Sequence, residues 1–335
     1  MYELARNLLF RLDAEQAHHL AIESFRRFPA LSTAPFACAS VSAPVELLGL
    51  KFANRVGLAA GLDKNGECLR AWSRLGFGFV EIGTVTPRPQ PGNPKPRMFR
   101  LPKHQGIINR LGFNNRGVDY LLQQVQEADF QGVLGINIGK NADTPIEKAA
   151  DDYLIGLRKV YAAADYVTVN ISSPNTKNLR DLQDEQKLRE LLGSIDRARA
   201  ELAQRQGRRK PILVKIAPDV SDAQLDGIAL AARECGIDGL IATNTTITRP
   251  GLDAEPLARE TGGLSGAPLR PLAEDTLRRL RARVGADYPL IGVGGILSGA
   301  DAAQRRAAGA DLVQVYSGFI YRGPALVAEC ARALA

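Results

Sequence analysis

The chain has 335 residues, 45% of them hydrophobic, and a formal net charge of +7. That length suits one large or two modest globular domains with an ample apolar core. Cys38, Cys68, Cys235 and Cys330 are scattered with no CxxC pair, which argues against a zinc site or a disulfide framework and fits a reducing cytoplasm. No run approaches the roughly 18 to 20 apolar residues of a spanning helix, and the amino terminus lacks the uninterrupted apolar core of a secretory signal, so the chain is expected to stay inside and not to span.

In chain order, the first forty residues carry apolar positions at helical spacing on two short segments. Tyr2, Leu4, Leu8, Leu9 and Leu12 form one set; Ala17, Leu20, Ala21, Phe25 and Phe28 form the other, with Asp13 set to cap the second helix. Such a pair can lie on a bilayer or dock on the rest of the protein, and the pattern alone allows both. Residues 1–40 are therefore expected to be a separate helical segment, and 41–335 a catalytic domain. Beyond it, β-rich runs recur at 55–60, 77–84, 132–139, 165–172, 211–217, 239–244, 289–294 and 311–316. Amphipathic helical stretches at 147–162, 183–204, 222–234, 272–283 and 299–308 separate many of them. This alternation predicts a (β/α)₈ barrel with an N-terminal helical extension. No Gly-x-Gly-x-x-Gly fingerprint follows the first strand, which disfavours a Rossmann sheet.

Between Ile82 and Val118 there is no acidic residue, while Arg88, Lys95, Arg97, Arg100, Lys103, Arg110 and Arg116 all fall there. The many prolines of this stretch predict an extended loop holding a fixed positive rim. An anionic ligand, a membrane surface, nucleic acid or plain solvation would each account for the charge.

On a barrel, chemistry belongs at the carboxyl ends of the strands. The residues there are polar in nearly every unit: Lys64, Thr84, Asn137, the cluster Asn170, Ser172, Ser173 and Asn175, Lys215, Thr243 to Thr245, Gly294 and Gly295, and Tyr316 to Gly318. The segment DYVTVNISSPN at 165–175 reads as a buried strand stopped by Pro174, and its amides and hydroxyls suit a flat hydrogen-bonding ligand or, equally, an ordinary Asx or Ser turn. Glycines closing the seventh and eighth strands suit a phosphate cradle, with tight turns as the plainer explanation. Lys215 ends an apolar strand, where an ammonium is costly unless it faces an anion or takes part in chemistry.

The series AAGLDKNGE (59–67), EIGTVTPRPQPGNPKPR (81–97), NRLGFNN (109–115), NISSPNT (170–176), LVKIAPD (213–219), TNTT (243–246), GGLSG (262–266) and GVGGI (292–296) resembles the dihydroorotate dehydrogenases, specifically their quinone-dependent, membrane-associated class 2, over essentially the whole chain. The resemblance implies FMN on the barrel rim, dihydroorotate against it, and a membrane quinone as acceptor, at the cytoplasmic face of the inner membrane in pyrimidine biosynthesis. By motif position, FMN contacts fall on Ala60, Gly61, Leu62, Asp63, Lys64, Thr84, Asn137, Asn170, Lys215, Thr243, Gly266, Gly295, Tyr316 and Ser317. Dihydroorotate contacts fall on Lys64, Asn109, Arg110, Leu111, Gly112, Phe113, Asn170, Asn175, Asn244 and Thr245. Asparagine edges do match the paired carbonyl and N–H groups of a pyrimidine ring, and Lys64 can meet its carboxylate.

The same resemblance makes Ser173 the catalytic base, with Thr176 passing the proton on, Phe113 screening the site and Lys215 stabilising charge on the reduced flavin. Serine standing where class 1 enzymes carry cysteine implies a quinone rather than fumarate or NAD. His19 and Arg100 are expected near the polar end of a quinone tunnel built from the N-terminal helices. No metal and no nucleic acid are expected. A non-redox barrel lyase, which would be colourless, and a tRNA-directed flavin enzyme, which would need an RNA-binding domain, are the alternatives of other classes.

Overall fold

The computed structural model describes residues 1–36 and 40–335; Cys38 lies outside the described residues. Eight parallel strands close into a barrel in sequence order. They are β1 (Val56–Leu58), β2 (Phe79–Val85), β3 (Val133–Ile138), β4 (Tyr166–Asn170), β5 (Ile212–Ile216), β6 (Gly239–Ala242), β7 (Leu290–Val293) and β8 (Leu312–Val315). All eight expected strands are present, shorter by one or two residues at most ends, and helices at 149–160, 185–206, 222–234, 270–284 and 299–307 follow the expected runs.

The two-residue period of each strand sorts its side chains. In β4, Val167 and Val169 join the core that packs under the surrounding helices, whereas Tyr166 belongs to a separate interior cluster with Phe79, Leu213, Ile241, Ile291 and Leu312. That cluster includes Leu50 and Phe52 of an antiparallel hairpin, Val45–Leu47 with Leu50–Phe52, that closes the amino end of the barrel. One layer further along the strands the interior turns polar, with Glu81, Asn137, Thr168, Lys215 and Gln314 all buried.

Two features depart from the sequence reading. Part of the proline-rich stretch is not loop: Met98–Leu101 pairs with Gly106–Asn109, which pairs in turn with Gly263–Gly266, in a three-stranded antiparallel sheet. Nor, among the described residues, is most of the positive rim free. Arg88 pairs with Asp143, Arg110 with Glu260 and Arg116 with Glu67, and Arg97 is buried against Glu15. Acids distant in sequence neutralise the cations, which a local charge count does not register.

The amino-terminal segment forms α1 (Tyr2–Leu9) and α2 (Ala14–Arg27), and Asp13 caps α2 by accepting from the amides of Glu15 and Gln16 at 2.9 and 3.0 Å. The segment is docked: Tyr2 donates to the carbonyl of Ile320 at 2.6 Å, and Arg97 holds Glu15 while donating to the carbonyls of Pro91 and Asn93 at 2.6 and 2.7 Å. Apolar side chains nonetheless stay solvent-facing on it, Leu4 76% and Leu8 65% exposed, beside exposed polar residues such as Glu3 and Arg11. Of the two alternatives left open by the helical pattern, docking on the rest of the protein is the one these contacts show. No helix among the described residues is long and apolar enough to cross a membrane.

Candidate active site

A cavity opens at the carboxyl end of the barrel. It collects Ala60, Gly61, Lys64, Thr84, Asn109, Leu111, Gly112, Phe113, Asn170, Ser173, Asn175, Lys215, Thr243, Asn244, Thr245, Gly266, Gly295, Tyr316 and Ser317, nearly all the residues expected to bind FMN and substrate. Register explains part of the convergence: Asn170 of β4 lies opposite Lys215 of β5, so both side chains leave adjacent strands on the same side.

A polar chain runs beneath the cavity. Glu81, fully buried, accepts from Asn137 Nδ2 at 2.8 Å on one oxygen, and from the Tyr166 hydroxyl at 3.0 Å and Gln314 Nε2 at 2.7 Å on the other. A carboxylate only accepts, so Asn137 must turn its carbonyl the other way, where Thr84 Oγ1 donates to it at 2.5 Å. Thr84 then accepts from Asn170 Nδ2 at 2.9 Å. The Asn170 carbonyl is left to accept from Ser172 Oγ at 3.1 Å, and Asn244 Nδ2 donates to Ser172 Oγ at 3.0 Å. The charge of Glu81 thus sets the amide orientation of successive rim residues. The sequence reading gave Glu81 no role; the available signal was an acid two residues after Phe79, hence on the inward side of an otherwise apolar strand.

Burial drives the Lys215 ammonium below its usual pKa, and the Glu81 carboxylate opposes that shift. Burial also draws Lys64 down to about 8, with Glu15 pulling upward, Arg97 downward and Asp63 upward. Ser173 is buried and its Oγ accepts from the Asn175 amide at 3.2 Å, while Asn175 Nδ2 donates to Asn109 Oδ1 at 3.2 Å. Arg180, also overlooked in the sequence, pairs with Asp219 at 2.8 Å and donates to the carbonyls of Ser172 and Thr245 at 3.1 and 2.8 Å, tying the loops after β4 and β6 together.

The loop carrying Phe113 is pinned rather than free. Gln90 Nε2 donates to the carbonyls of Gly112 and Phe113 at 3.0 and 3.1 Å, and Asn93 Nδ2 donates to those of Arg110 and Asn175 at 2.9 and 3.2 Å. Phe113 sits at φ 54°, uncommon for an aromatic residue and held by these bonds. Its ring lies over Gly139, where a Cβ would come within 3.1 Å of it.

Several expected contact residues stand apart from the cavity wall. Asp63 is structural, accepting from the amides of Glu67 and Cys68 at 2.9 and 2.8 Å and from Trp72 Nε1 at 2.9 Å. Arg110 turns outward to Glu260, Asn137 lies one shell below Thr84, and Thr176 Oγ1 is buried without a partner. Leu62 lines a second cavity between the N-terminal helices and the barrel. That groove is largely apolar, with Ala14, Ala17, Ile22, Phe25 and Phe319 among its walls and Arg100 at its polar side; Tyr316 borders both cavities. His19, expected near a quinone tunnel, is exposed, whereas the turn of α2 points His18 into the groove. Burial, then the charges of Lys64 and His19, hold His18 down to about 3, against the pull of Glu15, so it is neutral at physiological pH. No histidine lines the barrel cavity.

The described residues hold no cluster of side chains able to bind a metal. The barrel cavity does fit a flavin nucleotide. The backbone amides of Gly295, Ile296, Ser317 and Gly318 line it without a protein acceptor among the described residues, and the buried Thr245 Oγ1 and Gln314 Oε1 on its wall lack partners. Free amides suit a phosphate, and scattered neutral acceptors and donors suit a heterocycle.

Residues 42–335 match the family model described as dihydroorotate dehydrogenase. A curated relative from Alkalilimnicola ehrlichii, named dihydroorotate dehydrogenase (quinone), is 57% identical over 100% of this chain and 99% of its own length. One of the same name from Neisseria meningitidis is 56% identical over the full length of both. A crystal structure of DHODH from Eimeria tenella in complex with ferulenol superposes with a TM-score of 0.90 at 39% identity, covering 96% of this chain and 90% of that one. Barrel, rim and matches agree, and the chain belongs to the dihydroorotate dehydrogenase family.

Proposed function

We propose that this chain oxidises dihydroorotate to orotate at the barrel mouth, using FMN, and passes the electrons to a membrane quinone that reaches the flavin through the groove under residues 1–40. The observation that carries the reading is the meeting of two chemically different cavities at Tyr316, one polar and amide-rich, the other apolar and opening beneath helices with exposed leucines. The outward Leu4, Leu8 and Leu31 favour peripheral attachment to the cytoplasmic face of a bilayer by apolar insertion. Residues 41–335 then form the catalytic domain.

FMN would be held by Ala60, Gly61, Thr84, Asn170, Lys215, Thr243, Gly266, Gly295, Tyr316 and Ser317, with its phosphate on the amides after β7 and β8. When bound, it supplies the acceptor for the hydride that leaves C6 of dihydroorotate, and it gives up two electrons to the quinone. Lys64 meets the substrate carboxylate, while Asn109, Asn170, Asn175 and Asn244 meet the ring carbonyls and N–H groups. Ser173 Oγ takes the proton from C5. A serine hydroxyl is a weak base, and with no imidazole at the cavity its proton must move on at once, through the unpartnered Thr176 hydroxyl and water. Phe113 limits the access of bulk water, and Lys215 offers positive charge where the reduced ring gains negative charge. Arg100 and His18 form the polar end of the quinone groove.

Anaerobic mixing of the purified protein with dihydroorotate tests this reading. The yellow flavin band should bleach with formation of orotate, and a soluble quinone analogue should restore it. A colourless protein, or a flavin band indifferent to dihydroorotate, would rule the proposal out.

A further inference from the structure

Arg305, on the helix Gly299–Ala307, is 1% exposed and has no carboxylate within salt-bridge distance among the described residues. Its two terminal nitrogens donate to the carbonyls of Val293 at 2.9 Å and Gly294 at 2.6 Å, and its Nε has no partner. Beside it Arg270, which pairs with Asp301 at 2.8 Å, donates its Nε to the carbonyl of Gly295 at 2.9 Å. Two guanidiniums therefore hold three successive carbonyls at the end of β7.

In a trans peptide the N–H points opposite to the C=O of the same unit. The Val293 carbonyl also accepts from the Thr243 amide of the barrel sheet at 3.0 Å, so the guanidiniums' own effect falls on Gly294 and Gly295: pinning these two carbonyls turns the amides of Gly295 and Ile296 the opposite way, toward the cavity. The glycines here also make room for the arginines. A Cβ on Gly292 would lie 2.5 Å from Arg305 Cγ, and one on Gly295 would lie 2.5 Å from Arg270 Cβ. The cradle nonetheless lacks charge of its own: among the described residues Lys64 and Lys215 are the only cations on the cavity wall, and both have other roles in the proposed function. Behind it sits an unneutralised guanidinium. Burial draws the Arg305 pKa down to about 10, with Glu274 opposing, Arg270 adding to the fall and Asp301 opposing, so the group is charged at neutral pH. A buried cation without a counter-ion is costly unless an anion nearby compensates it.

We propose that Arg305, seconded by Arg270, is a positioning residue for the phosphate of the flavin nucleotide: from behind β7 it orients the Gly295 and Ile296 amides and supplies the positive charge that the cradle itself lacks. This rests on the reading of that cradle as the FMN phosphate site. It assigns the phosphate a recognition element that never touches it.

The test uses full-length holoenzyme equilibrated with mixtures of FMN and riboflavin, which differ only in the phosphate, followed by release and chromatographic measurement of the bound flavins. The wild type should retain FMN strongly over riboflavin. Arg305→Met should lower the FMN-to-riboflavin ratio by roughly ten-fold or more, the weight of one charge-assisted hydrogen bond, without weakening riboflavin. Arg305→Lys, which restores charge without the fork, should recover part of the loss, and Arg270→Gln should give a smaller fall. A ratio unchanged in Arg305→Met, or equal weakening of both flavins, overturns the proposal. Should Arg305→Met fail to fold, Arg305→Lys and Arg270→Gln decide, and an unchanged ratio in both overturns it. A wild type that does not prefer FMN would instead refute the reading of the cradle as a phosphate site.

Discussion

Replacing Glu81 by glutamine keeps the shape of the barrel interior and removes one charge at its polar layer. Three buried donors now converge on that carboxylate: Asn137 Nδ2, the Tyr166 hydroxyl and Gln314 Nε2, at 2.8, 3.0 and 2.7 Å. Glutamine offers one acceptor oxygen and presents an NH₂ where the other oxygen stood, so at least one donor loses its partner, at a cost of about 1–3 kcal/mol. The remaining bonds fall from charge-assisted to neutral strength, about 1 kcal/mol each. Part of this is returned because no carboxylate need be desolvated. A net loss of about 2–4 kcal/mol follows, a large share of the roughly 5–15 kcal/mol by which a domain is stable. Urea unfolding of flavin-saturated protein should show the midpoint falling at unchanged slope. The charge that opposes the burial shift on Lys215 disappears as well, which moves that ammonium further below its usual pKa. Stability within about 0.5 kcal/mol of wild type, the level of an ordinary surface substitution, would refute the orienting role given to this carboxylate.

Three further outcomes are expected. Ser173→Ala should retain FMN and bind dihydroorotate yet lose most of the flavin-reduction rate in stopped flow, since only the C5 proton transfer is removed; near-normal reduction would contradict the assignment. Because burial leaves the Lys64 ammonium titrating at about 8, it is charged below that pH and lost above it, so kcat/KM for dihydroorotate should fall as pH rises through about 8. A profile flat to pH 9.5 would remove Lys64 from carboxylate recognition. A chain beginning near Ser42 should still be bleached by dihydroorotate while reducing vesicle-borne quinone far more slowly than the full chain, and equal rates with membrane quinone would sink the groove.

Strand and helix order was legible from the sequence because each βα unit writes its own local pattern: β-branched runs of five or so residues, then apolar positions at helical spacing, as at 165–172 and 183–204. Rim residues such as Lys215, Asn170 and Tyr316 were legible too, since a barrel puts strand ends on one face whatever the loops do. What the sequence could not carry was pairing across distance. Arg97 reads as part of a positive run until α2 brings Glu15 against it, and Gly106–Asn109 reads as loop until residues 263–266, far along the chain, supply a partner strand beside its hairpin with Met98–Leu101. The rotation of α2 chose His18 over His19 for the groove, a difference of one residue that a short amphipathic pattern does not resolve. Tertiary structure likewise gave Glu81 and Arg305 their meaning, because the cost of a buried charge, and hence the need for its surroundings, exists only once the fold has taken water away.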